Sequence, residues 1–208
     1  MLSIAARIPK QRKAGALQPI LPLIPEKLPS TEEEKGMFLS FELQTRVGQD
    51  STKYKKYVRK FEEGTPQQWI DLRRDLIEIW TQNSITGGTD RASTVRALVR
   101  GESLTAFETA LQDAHTVDEL GDQPITSDNV QTAIDAVTTT VFPHRSLELQ
   151  KTWMNRKMFK PIELTTRQTA AAINRLNNAL PMFPSGTANS KFSDTEIVGL
   201  LEWSLPPR

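Results

Sequence analysis

No cysteine occurs in this 208-residue chain, which excludes disulfides, thiolate zinc sites, iron–sulfur clusters and a thiol nucleophile. Histidine is scarce as well. His115 and His144 are the only two, and neither has a second ligand at helical spacing, so no metal centre is expected. Long hydrophobic runs are missing: no stretch approaches the ~18 apolar residues a spanning helix needs. The opening MLSIAARIPKQRK lacks the apolar stretch and small-residue cleavage site of a secretory signal. These absences predict a cytoplasmic protein with no membrane segment, no cofactor and no small-molecule substrate.

What is present is charge, unevenly placed. The net charge is +1, yet Arg7, Lys10, Arg12 and Lys13 crowd one segment and Lys53, Lys55, Lys56, Arg59 and Lys60 another. Such clusters neutralise phosphates one by one. Arg7, Lys10, Arg12, Lys13, Lys55 and Lys56 are therefore candidate nucleic-acid contacts, the plainer reading being a solvated charged face.

The length allows one ordinary domain or two small ones. Residues 1–50 read as a flexible leader, because Pro9, Pro19, Pro22, Pro25 and Pro29 break any helix in its first part. Within it MFLSFELQTRV alternates Phe and Leu with polar residues, the period of a half-buried strand over 37–45, with no evident partner strand. From residue 65 the pattern is helical. Thr65, Pro66 and Gln68 form the opening of a helix that carries Trp69, Leu72, Leu76, Ile79 and Trp80 on one stripe. The glycines of NSITGG are expected to close it with a left-handed turn.

Further helices carry Val95 and Leu98, then Leu104, Phe107 and Leu111. HTVDELGDQPIT has no apolar period and marks a boundary. Beyond it Val130, Ile134, Val137 and Val141 share a stripe, and a helix from about Ser146 to Phe159 presents Leu147, Met154 and Met158. Thr165 with Gln168, and Ser193 with Glu196, are the capping boxes of two more helices. The expected architecture is all-α: a flexible Pro-rich leader, an N-terminal helical lobe over 51–118 and a C-terminal helical lobe over 119–208. Trp69, Trp80, Phe107 and Trp153 are its core anchors.

Catalytic patterns are thin. GGTDRASTVRALVRGES has glycines and hydroxyls but not the lysine followed by Ser or Thr, nor the preceding strand, of a phosphate loop. Glu62 with Glu63 and Asp71 with Asp75 are carboxylate pairs of the kind surface helices and turns produce routinely. No enzyme is expected. In TVFPHRSLELQKTWMNRKMFKP, Trp153 and Phe159 among Arg156, Lys157 and Lys160 offer a base-stacking reading, but a helix with an apolar inner wall and a basic outer face accounts for the same residues.

The segment YVRKFEEGTPQQWIDLRRDLIEIWTQNSITGGTDRASTVRALVRGESLTAF, through Phe61, Gly64, Trp69, Arg91, Leu98, Gly101 and Phe107, resembles the start of the capsid region in Gag polyproteins of long-terminal-repeat retrotransposons. VFPHRSLELQKTWMNRKMFKP, INRLNNALPMFP and FSDTEIVGLLEWSLPP are similar to its second half, so the likeness covers roughly residues 55–208. It implies two helical capsid lobes, as in retroviral capsid proteins, and self-association into a virus-like shell around element RNA. Apolar surface around Trp203 and Leu205 is the expected self-association face. Gag chains often carry a downstream Cys/His zinc knuckle for packaging; with no cysteine here, RNA binding would rest on the leader's basic residues. The alternative is a host-adopted helical adaptor or a nucleic-acid-binding module.

Overall fold

The computed structural model describes residues 18–25, 36–47, 50–115 and 124–205. Arg7, Lys10, Arg12 and Lys13 lie outside them, so those four candidate contacts are not placed.

The described residues are mostly helical, with one two-stranded sheet among them, and the strictly all-α expectation is corrected to that extent. Strand β1 (Phe38–Val47) pairs antiparallel with β2 (Asp50–Arg59), from Phe38 opposite Arg59 to Val47 opposite Asp50. The strand foreseen at 37–45 thus has a partner, drawn from the basic cluster. Because side chains alternate, Leu39, Phe41 and Leu43 share a face with Val58, Lys56 and Tyr54. Leu43 and Val58 are buried there, and Lys56 Nζ reaches Asp75 at 2.6 Å and Glu78 at 2.5 Å on the first helix.

That helix, α1 (Pro66–Gln82), begins with the anticipated capping box. Thr65 accepts from the Gln68 amide while the Gln68 side chain accepts from the Thr65 amide. Trp69, Ile70, Leu72, Leu76, Ile79 and Trp80 form its buried stripe. Its end differs from expectation. The left-handed residue is Ser84, with φ of 54°, whereas Gly87 and Gly88 open the next helix, α2 (Gly88–Leu98). Gly88 is needed for close approach: a Cβ would overlap the backbone of Ile125 and Thr126.

The remaining helices are α3 (Gly101–Ala114), α4 (Ser127–Val141), α5 (Ser146–Arg156), α6 (Thr166–Ala179) and α7 (Asp194–Ser204). Capping boxes open α6 at Thr165 and α7 at Ser193 as read from sequence, and Thr126 with Asn129 builds another on α4. Helix α5 stops at Arg156, short of the expected Phe159, although Met158 beyond it is still fully buried.

The residue 118/119 boundary expected between lobes falls in the undescribed segment 116–123. On either side of it α3 and α4 pack together, and α4 also touches α2 and α1. Buried side chains from Leu21 to Leu200 belong to one hydrophobic cluster. Trp69, Trp80, Phe107 and Trp153 are all buried within it. Residues 18–25 differ from the flexible leader expected over 1–50: Leu21 and Leu23 are buried in that same cluster.

Candidate functional site

Five of the seven residues singled out for the resemblance, Phe61, Gly64, Trp69, Leu98 and Gly101, meet at one place. The Phe61 amide donates to the Leu98 carbonyl at 2.8 Å, and the Arg100 amide donates to the Phe61 carbonyl at 2.7 Å. This short parallel bridge ties the end of the hairpin to the end of α2. The Phe61 ring tilts against Trp69 with centroids 5.0 Å apart. Gly64 lies so close to that ring that a Cβ would stand 2.7 Å from it, and Gly101 takes φ of 57° to start α3 beside Glu62. Phe61, Gly64, Trp69, Leu98 and Gly101 thus form a packing clasp. Arg91 lies outside the clasp, its guanidinium 5.1 Å from the Trp80 ring centroid, and Phe107 is buried in the core.

Of the groups considered for chemistry, the carboxylate pairs Glu62–Glu63 and Asp71–Asp75 share one small cleft, of about 230 Å³, which neither histidine lines. A cleft of about 710 Å³ is lined by Glu62, Glu63, Glu102 and Asp113 together with Phe61 and small α3 residues. Among the described residues no group of three or more His, Cys, Asp or Glu is arranged to hold a metal ion. His144 lines a separate cleft, of about 730 Å³. The carboxylate there, Glu148, is engaged by Arg145 through two hydrogen bonds, at 2.8 and 2.5 Å. Of the carboxylate pairs, Asp75 bonds Lys56, and Asp71 accepts from Gln67 at 2.9 Å.

Two surfaces stand out. The first surrounds the junction of α7 with the loop after α5, where the Lys160 amide donates to the Ser204 carbonyl at 2.8 Å. Flanking that bond are Trp203, 61% exposed, Phe159, 65% exposed, and Ile162, 93% exposed. Leu205, the other residue expected here, is half-buried. The stacking pair weighed for Trp153 and Phe159 is split: Trp153 is buried while Phe159 faces outward.

The second is the outer face of the hairpin. Register places Phe38, Ser40, Glu42 and Gln44 beside Arg59, Tyr57, Lys55 and Lys53. Tyr57 is 67% exposed, and Phe38, Lys53 and Lys55 are exposed with it. Lys55 therefore occupies this outer face, but Lys56 points to α1 and is committed to Asp75 and Glu78. Burial works against the Lys56 charge, and the hydrogen bonds from the two carboxylates outweigh it, so its pKa ends above the ordinary value. Tyr57 and Phe38 escaped the sequence reading as an outer-face pair because β2 was not recognised as a strand: Tyr54 and Tyr57, three residues apart, fall on opposite faces and give no period-two signal.

Compared with known proteins, the chain matches no family model, no curated protein and no solved structure. Among the described residues no helix is long and apolar enough to cross a membrane.

Proposed function

We propose that the chain is a structural, Gag-capsid-like protein that associates with copies of itself into an intracellular, virus-like shell around RNA and carries no catalysis. The observation that supports this most is the exposed trio Trp203, Phe159 and Ile162 at one junction. Large apolar side chains left exposed beside one backbone junction are a contact surface in want of a partner, and tryptophan is among the residue types enriched at interface hot spots. A second copy is the partner, through repeated weak contacts. Light scattering with negative-stain microscopy, across salt and protein concentration, tests the reading. Assembly that grows with concentration and is lost in Trp203→Ala is expected. A strict monomer under every condition would sink it.

A second reading, a nucleic-acid-binding module, is favoured by the outer hairpin face. Exposed Tyr57 and Phe38 on a sheet, among Lys53 and Lys55, have the chemistry of a single-strand stacking platform. Single-stranded RNA binding that weakens steeply with salt, and weakens further in Lys53→Ala/Lys55→Ala, distinguishes it from the adaptor version.

A further inference from the structure

Residues 19–25, PILPLIP, lie against the helices in a manner that resembles a bound ligand more than a connecting loop. Gln150 on α5 is fully buried, 0% exposed. Its side-chain oxygen accepts from the amides of Ile20 and Leu21, both at 2.9 Å, and its side-chain nitrogen donates to the Leu21 carbonyl at 3.1 Å. From α6, Arg175 donates to the Pro22 carbonyl at 2.8 Å and the Leu23 carbonyl at 3.1 Å, while its other nitrogen is held by Gln67 of α1 at 3.1 Å. All the hydrogen bonds to the segment in this set go to its main chain. Apolar selection falls to Leu21 and Leu23, which are buried on either side of half-buried Pro22, while Ile24 turns outward.

Hydrogen bonds to the main chain give a docked segment affinity whatever its side chains, and the apolar side chains taken inward give it selectivity. Pro19, Pro22 and Pro25 fix their own φ in a segment whose backbone bends at Ile20, Leu21, Leu23 and Ile24, which lowers the ordering cost of docking. Each side-chain hydrogen bond described for Gln150 is made with this segment.

We infer that the Gln150–Arg175 cleft is a peptide-binding site for a proline-bracketed Leu-Pro-Leu segment, filled here by residues 19–25 in cis and open to the same segment of a second copy when its own is displaced. The inference rests on these contacts alone and is independent of the Trp203 surface.

The test uses the full chain carrying Leu21→Asp and Leu23→Asp, to expel the cis segment, and a fluorescent synthetic peptide, QPILPLIP, followed by anisotropy. Saturable binding to this variant is expected. Binding to the unaltered chain should be at least about tenfold weaker, because a tethered segment competes at an effective concentration near millimolar. Adding Arg175→Ala to the emptied variant should weaken binding about tenfold or more. No peptide binding by an emptied variant of native circular dichroism overturns the site. An emptied variant that fails to fold overturns it equally, since the segment is then a fixed piece of the core. Hydrogen exchange on the unaltered chain gives an independent reading: the Leu21 amide should open at least tenfold more often than the Trp69 amide, and equal opening overturns the inference.

Discussion

The indole Nε1 of Trp69 donates to Thr138 Oγ1 at 2.9 Å, joining α1 to α4 across 69 residues of sequence. Thr138 in turn donates to the Ile134 carbonyl at 2.7 Å. Arg73 adds a donation to the same hydroxyl at 3.1 Å and another to the Met182 carbonyl at 2.8 Å. The buried Thr138 hydroxyl ties α1 to α4, and Arg73, bonded to it, reaches on to the turn after α6. Thr138→Val keeps the shape and removes the acceptor, leaving a fully buried indole N–H unpaired. The expected loss is about 1–3 kcal/mol in urea denaturation. Thr138→Ser, which keeps the hydroxyl, should lose clearly less.

The acid limb of stability follows from the ion pairs. Glu78 is held below its ordinary 4.5 chiefly by the Lys56 hydrogen bond, Glu108 by the Arg96 hydrogen bond, and Glu196 by the Ser193 amide at the α7 cap. A carboxyl lowered in the folded state stabilises above its unfolded value and loses that contribution as pH falls through the folded one. Asp75 runs the other way: burial raises it, so its ionised form costs the fold stability and that cost is relieved as pH falls through its folded value. Three losses against one gain predict a melting temperature that falls once pH drops below about 4.5. Glu108→Gln should be less stable than the parent at pH 7, by roughly 1 kcal/mol or less for so exposed a pair. The difference should close as pH is lowered through the acid range in thermal scans.

Two glycines predict opposite outcomes. Gly88→Ala places a methyl group into the Ile125–Thr126 backbone, which cannot rotate away. A destabilisation of about 1–3 kcal/mol is expected, as for overpacked interiors. Gly199 sits inside α7 with nothing within 4 Å of an added Cβ. Gly199→Ala should stabilise by roughly 0.5–1 kcal/mol through helix propensity. Guanidinium denaturation of both variants checks the contrast.

Helices α1, α6 and α7 were legible because their starts are local: a hydroxyl at the cap and a Gln or Glu three residues on are visible without knowing the fold. Strand β2 was not, since DSTKYKKYVR supplies a single strongly apolar inward residue, Val58, and its inward Lys56 is accommodated by Asp75 and Glu78 on α1. The docking of residues 19–25 was hidden for a related reason. Prolines signal a linker locally, while Gln150 and Arg175, the groups that hold the segment, are 129 to 153 residues away in sequence. Nor did composition separate Phe159 from Trp153; the early end of α5 at Arg156 puts them in different surroundings.

The clasp around Phe61 carries the last prediction. Phe61 is 4% exposed, packs on Trp69 at 5.0 Å between ring centroids and lends its backbone to Leu98 and Arg100. Phe61→Ala keeps the two backbone hydrogen bonds but opens a void beside an indole that also anchors α4 through Thr138. A loss of about 3–5 kcal/mol is expected for a buried phenylalanine. Because the void adjoins Trp69, tryptophan fluorescence of the folded variant should shift as the indole's packing changes, whereas Phe107→Ala, a comparable deletion of a fully buried ring on α3, should lower stability with a smaller spectral change. Equal spectra for both variants would mean that Phe61 acts as general core filling and that the clasp adds nothing particular at Trp69.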